Sequence, residues 1–251
     1  MANWADQRII AGSASDKGRV RDHNEDAYLV DSNRSLFIVS DGMGGAQAGA
    51  LASKIVIEFL PRIIDDHLAR LEKVSTQTVR KVLHMTILEL SQRMYKESSE
   101  LLHLRGTGAT LVLLLIRGRW AHIAHVGDSR AYFLRRGILV QLTEDHSIVG
   151  ILMRHGDITP EQAKTHPARG RLSQCIGMEG EVCPDVRTVA LRHFDRILLC
   201  TDGLTGAISQ EEIKALLRDN ANPMEACRAM VEAANRASGG DNITAVVVDW
   251  A

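Results

Sequence analysis

The chain has 251 residues, 45% of them apolar, 24% charged and 4% aromatic, with a formal net charge of −1. That is a globular composition, long enough for one large domain or two small ones. The near-neutral charge argues against a nucleic-acid binder that works by broad phosphate neutralisation, and the longest apolar run, 111–116, is far short of the roughly 18–20 residues that span a bilayer.

In chain order, residues 9–14, 27–31 and 36–40 predict strands. Residues 46–68 carry Leu51, Ile55, Ile57, Phe59 and Leu60 and predict a helix that Pro61 kinks or divides. A second helix is predicted over 78–99, where Val79, Val82, Leu83, Ile87, Leu90 and Met94 recur every three or four residues. Strands at 110–116, 120–126, 131–135 and 138–142 follow, with hairpin signals at Arg117-Gly118-Arg119 and Arg136-Gly137. The stretch 147–184 is poor in strand signals and rich in Gly, His and Arg, with a short helix start at Thr159-Pro160; it reads as a surface insertion over the site. Strands are predicted again at 186–191, 196–200 and 243–249. Between them, Ser209 with Glu212 caps one helix, and Pro223 opens another that Gly239-Gly240 ends. Strands joined by hairpins, with helices grouped between them, predict an antiparallel α+β fold.

The N-terminal stretch holds Asp6 and Arg8 where a signal peptide would be apolar. Cys175, Cys183, Cys200 and Cys227 form no CxxC pair and read as reduced thiols. Both features lead us to expect a cytoplasmic protein.

Acidic residues recur beside glycine where apolar strands run out: Ser40-Asp41-Gly42, Gly127-Asp128-Ser129, Thr201-Asp202-Gly203 and Gly240-Asp241-Asn242. A carboxylate at a strand end leaves the core at a fixed position, and glycine lets backbone carbonyls come close to a ligand. A single Asp-Gly is also an ordinary turn. If several gather at one edge they repel unless cations neutralise them, and oxygen donors without a Cys/His set suit Mg²⁺ or Mn²⁺.

Several segments, in order, closely resemble the type 2C metal-dependent protein phosphatases. They are Arg21-Asp22-His23-Asn24-Glu25-Asp26, Asp41-Gly42-Met43-Gly44-Gly45, Gly108-Ala109-Thr110, Gly127-Asp128-Ser129-Arg130, Leu142-Thr143-Glu144-Asp145-His146-Ser147, Thr201-Asp202-Gly203-Leu204 and Asp241-Asn242-Ile243-Thr244. They fall within residues 12–249, and the Asp-Gly-Met-Gly-Gly form looks like the bacterial branch. The resemblance implies a four-layer α-β-β-α sandwich of two antiparallel sheets, forming a single catalytic domain over 1–251 with a flap at about 147–184. It implies that Asp41 bridges two Mn²⁺ or Mg²⁺ ions, with Asp202 and Asp241 completing one ion and the Gly42 carbonyl serving the other. Asp128 with Asp202 matches a third, weaker ion site. Glu25 and Asp26 act nearby through water, and Arg21 grips the substrate phosphate.

Two positions depart from the family pattern. Met43 stands where eukaryotic members carry a histidine, and Ala46 where many bacterial ones do. The general acid is left open between a water at the metals and His146, for which a structural role is the alternative. Arg154, Lys164, Arg169 and Arg171 give the 147–184 stretch a positive excess that either docks a phosphorylated segment or is simply solvated.

The expected activity is hydrolysis of phosphoserine and phosphothreonine on proteins, opposing a cognate Ser/Thr kinase, by a monomer. Two other readings compete with it. A non-catalytic phosphopeptide-binding module is favoured by the missing histidines and opposed by the intact aspartates and Arg21. A hydrolase of small phosphoesters would be told apart by comparing its efficiency on nucleotides and phosphoproteins.

Overall fold

The computed structural model describes residues 9–101 and 104–251. The stretch carrying Asp6 and Arg8 lies outside the described residues. In chain order the elements are β1 (Ile9–Asp16), β2 (Asp26–Asp31), β3 (Leu36–Met43), α1 (Ala46–Ala69), α2 (Thr76–Glu100), β4 (Gly108–Ala109), β5 (Leu111–Arg117), β6 (Trp120–Val126), β7 (Arg130–Arg135) and β8 (Ile138–Gln141). Then come α3 (Ile148–His155), α4 (Pro160–Thr165), β9 (Asp185–Ala190), β10 (Asp195–Cys200), α5 (Asp202–Thr205), α6 (Gln210–Asp219), α7 (Pro223–Ala237) and β11 (Ile243–Trp250).

The strands form two sheets, ordered β1-β11-β10-β7-β8 and β2-β3-β5-β6-β9, with β4 pairing β3. Every pairing is antiparallel. Successive side chains of a strand face opposite ways, and here both faces are buried. In β5, Val112, Leu114 and Ile116 enter the core between the sheets, while Leu111, Leu113 and Leu115 pack against α1 and α2 with Val56, Leu60, Leu83 and Ile87. In β11, Val246, Val248 and Trp250 face the other sheet, while Ala245 and Val247 meet Ile213, Leu217 and Met230 of α6 and α7. The continuous apolar runs seen in the sequence therefore mark central strands of a four-layer α-β-β-α sandwich.

Pro61 does not divide α1, which runs unbroken over 24 residues. Val56, Leu60, Ile63 and Ile64, on both sides of the proline, are buried in one cluster, and that packing holds the helix together despite the missing amide donor. Helix α2 starts earlier than its periodicity suggests, because Ser75 is the cap: its hydroxyl accepts from Thr78 N–H at 3.1 Å and Thr78 Oγ1 accepts from Ser75 N–H at 2.8 Å. The Arg136-Gly137 hairpin has positive φ at both residues, 50° and 75°, as a tight primed turn requires.

The 147–184 stretch contains α3, capped by Ser147, and α4, capped by Thr159. It is tied to the sandwich by the isolated bridges Ser147–Leu172 and Ala109–Ile176. None of the helices described is long and apolar enough to cross a membrane.

Candidate metal centre

The sandwich brings the strand-end aspartates to one edge. Asp41 lies near the end of β3 and pairs in register with Asp26 at the start of β2. From the other sheet, Asp202 follows β10, Asp241 precedes β11 and Asp128 precedes β7. Arg21, Glu25, Asp41, Gly42, Asp128, Asp202 and Asp241 line one cleft of about 880 Å³. Asp26 lies one step deeper. Met43 lines this cleft too, as do Gly170, Arg171, Leu172 and Cys175 from the 147–184 stretch. Arg154 and Arg169 instead bond the backbone carbonyls of Asp145 and Lys164.

Backbone contacts fix these positions. Asp41 N–H donates to Thr110 Oγ1 at 2.9 Å, and Thr110 N–H returns a 2.8 Å bond to the Asp41 carbonyl. Thr110 Oγ1 is itself 2.6 Å from Ser129 Oγ, which links the Asp41 strand to the turn carrying Asp128. Two glycines are required by close approach: a Cβ at Gly42 would lie 1.9 Å from the Gly49 carbonyl oxygen, and one at Gly203 would lie 2.0 Å from that of Asn242.

The electrostatics are those of crowded acids. Burial first, then the charges of Asp26, Asp202, Asp128 and Asp241, holds the Asp41 carboxyl well above the ordinary range. Burial, then Asp202 and Asp145, raises Asp128 to about 8, and burial, opposed by two hydroxyl bonds, raises Asp26 to about 7. Asp202 moves up for the same primary reason, with Asp241 next. Asp26 Oδ1 and Asp202 Oδ1 are buried without a hydrogen-bond partner. Orphaned buried carboxylate oxygens beside mutually repelling carboxyls, with all-oxygen donors, fit hard divalent cations. Arg21 offsets part of the charge through a 2.8 Å ion pair to Asp241.

Several residues that organise the site give no signal of that role in the sequence. Thr201 and Thr244 both donate to Asp26 Oδ2, at 2.9 and 2.7 Å. They sit in or beside strands, where threonine is unremarkable. Buried Asn242 spends its whole amide on the neighbouring loop: Oδ1 accepts from Glu25 N–H at 2.8 Å, and Nδ2 donates to the Lys17 and His23 carbonyls, both at 2.9 Å. Asn242→Ala is expected to cost about 1–3 kcal/mol in a thermal melt and to lower kcat/KM at least about tenfold, because the Arg21–Glu25 loop loses its anchor. An unchanged kcat/KM would show that the loop is held some other way.

His146 is not among the residues lining the cleft. It is buried, stacked on His125 at 4.6 Å and hydrogen-bonded to Asp185 at 3.1 Å. Its neighbour Asp145 takes a bidentate bond from Arg130, at 2.8 and 2.7 Å.

Comparison with known proteins points the same way. The family model described as protein phosphatase 2C matches residues 17–239. The serine/threonine phosphatase stp of Listeria monocytogenes is 36% identical over 238 residues, covering 94% of this chain and 93% of the relative. The protein phosphatase PhpP of Streptococcus pneumoniae is 35% identical, covering 93% and 94%. Among solved structures, the Mycobacterium tuberculosis phosphatase PstP/Ppp superposes with a TM-score of 0.83 at 34% identity, over 96% of this chain and 98% of that one. A PstP catalytic domain crystallised with two manganese ions superposes with a TM-score of 0.81 at 31% identity, over 97% and 99%.

Proposed function

The chain belongs to the protein phosphatase 2C family, and from that premise we propose that Asp41, Asp202 and Asp241 hold the divalent cations of its active centre. The protein is a bacterial-type, metal-dependent phosphatase that removes phosphate from serine and threonine of proteins. The observation that carries the assignment is the convergence of Asp41, Asp128, Asp202 and Asp241 in one cleft, where burial and neighbouring charge raise the carboxyls of Asp41, Asp128 and Asp202.

Asp41, Asp202, Asp241 and the Gly42 carbonyl are the groups that would hold the two ions, with Asp41 shared between them. Asp128 with Asp202 offers a third, weaker position. The manganese pair of the PstP catalytic domain is the precedent for Mn²⁺, and the oxygen donors suit Mg²⁺ equally. When bound, the pair supplies Lewis acidity, acidifies water and neutralises phosphoryl charge.

The protein's own groups do the rest. Arg21 keeps one Nη2 contact on Asp241 and turns its remaining donors to the phosphate oxygens, a planar match that lysine lacks. Glu25 orders water at the cleft wall. Asp26, fixed by Thr201 and Thr244, keeps its free oxygen Oδ1 for the same water network. Met43 carries no proton to give the leaving serine or threonine and His146 lies outside the cleft, so the proton comes from cleft solvent or from His23 on the cleft wall. Residues 1–251 act as one catalytic domain, with the 147–184 stretch as a flap whose Arg171 borders the cleft. The working setting is a cytoplasmic monomer opposing a Ser/Thr kinase.

Hydrolysis of a phosphothreonine peptide with Mn²⁺ tests this reading. EDTA is expected to stop turnover, and Arg21→Ala to lower kcat/KM about 10²-fold. Metal-independent turnover, or full activity in Asp202→Asn, overturns it.

A further inference from the structure

We propose that His125, His146 and Asp185 form a second metal site, selective for a transition ion of the zinc class and separate from the aspartate cleft. One ligand atom from each residue lies within 4.8 Å of the other two. A tetrahedral ion at the usual 2.0–2.1 Å needs its ligand atoms roughly 3.3 Å apart, so small side-chain movements close the set. The three come from different elements: His125 from β6, Asp185 from the adjacent strand β9 at its register partner, and His146 from the loop after β8. The imidazoles are buried and Asp185 is largely exposed, which gives a nitrogen-lined site with a wet mouth.

The surroundings of the three side chains set how an ion would be held. A cavity of about 240 Å³ borders His125 and Asp185, with Glu144 and Arg187 also on its wall, while His146 lies behind it. His125 Nε2 donates to the Glu144 carbonyl at 2.8 Å, which orients the ring and leaves Nδ1 as its ligand atom. The two rings are stacked, with centroids 4.6 Å apart and planes 25° from parallel, so one imidazole must tilt before both nitrogens face a single ion. Neutral imidazoles with one carboxylate suit Zn²⁺, Co²⁺ or Ni²⁺ and disfavour Mg²⁺, which prefers oxygen. The two sites therefore sort ions by chemistry.

Occupancy also reaches the phosphatase cleft. Gly127 N–H donates a long 3.4 Å bond to His146 Nδ1, so Nε2 carries the ring proton and donates a hydrogen bond to Asp185 Oδ2. An ion on Nε2 leaves the ring proton on Nδ1 instead and ends the Gly127 contact. Gly127 adjoins Asp128, which lines the cleft. The site is thus built to sense a transition ion and to report it to the turn that carries Asp128.

The test is equilibrium dialysis of Zn²⁺ against the full chain in excess Mg²⁺, repeated in Asp41→Asn so that uptake by the cleft is separable. The expected result is one Zn²⁺ bound in both proteins, with affinity at least about tenfold lower in Asp185→Asn. Because Asp185 is exposed, that variant should fold; His125→Gln is the second probe. Zn²⁺ should shift the Gly127 amide resonance in the wild type but not in Asp185→Asn, and Co²⁺ should develop visible d–d absorption. No Zn²⁺ uptake in excess Mg²⁺, or uptake equal in wild type, Asp185→Asn and His125→Gln, overturns the proposal and leaves a hydrogen-bonded His–Asp pair.

Discussion

Asp41→Asn is expected to lower Mn²⁺-dependent turnover of a phosphothreonine peptide at least about 10³-fold, while raising the melting temperature of the metal-stripped protein. The two effects share a cause. Asp41 is desolvated and faces Asp26, Asp202, Asp128 and Asp241, all of which push its carboxyl toward the neutral form. An amide of the same shape removes one charge from that group, and with it the anchor that places two cations side by side. Function therefore requires an arrangement that the unliganded fold disfavours, a local conflict of the kind that marks working sites. If the metal-free variant melts below the wild type, the repulsion has been misjudged.

The same crowding fixes a pH dependence. Asp26 and Asp128 are raised to about 7 and about 8 in the folded chain, from an ordinary value near 3.8. Between the ordinary and raised values the folded state binds more protons than the unfolded one, so stability falls as pH rises through that window. The metal-free protein is expected to melt several degrees lower at about pH 8 than at about pH 5. Saturating Mn²⁺ should reverse the trend, because cations replace the protons and bind better when the acids are ionised. A flat profile without metal would show that the carboxylates are relieved by some other means.

The elements that could be read from the sequence were those whose signal is local. Apolar runs ending in Asp-Gly marked the strand ends of the cleft, because burial on both faces leaves no polar alternation to confuse the pattern. What escaped was non-local. Thr244 looks like any strand threonine until the fold brings it 218 positions along the chain to Asp26. Asn242 reads as one half of a turn, yet its amide joins three separate backbone groups. Helix α3 was missed because its eight residues, with a glycine among them, are too few to establish a period. His146 stands beside Asp145 in the sequence, but Asp145 bonds Arg130 while His146 turns to β9 and Asp185. Neighbours in sequence here serve different networks.

Arg196→Ala is expected to destabilise the fold by about 3–5 kcal/mol. The guanidinium is almost fully buried and uses all five of its N–H donors. Nε and Nη2 grip the two oxygens of Asp249 on β11, both at 2.6 Å. Nη1 reaches the Leu217 and Asn220 carbonyls, and Nη2 that of Ala221. Those carbonyls belong to the end of α6 and the loop into α7, so one side chain joins β10, β11 and the outer helix layer. Truncation leaves a half-buried carboxylate and three carbonyls unpaired at once. For a chain of this length the loss corresponds to a fall in Tm of roughly 10 °C. Arg196→Lys should recover only part of it, since an ammonium has three donors and no planar fork. Arg196→Ala combined with Asp249→Asn should melt above Arg196→Ala alone, because the stranded charge is gone. Arg196 lies at the end of β10 away from Asp202, so kcat/KM of the folded fraction should stay near the wild-type value. A loss below about 1 kcal/mol would mean that water replaces the guanidinium at little cost. A collapse of kcat/KM in the folded protein would mean that the two ends of β10 are mechanically linked.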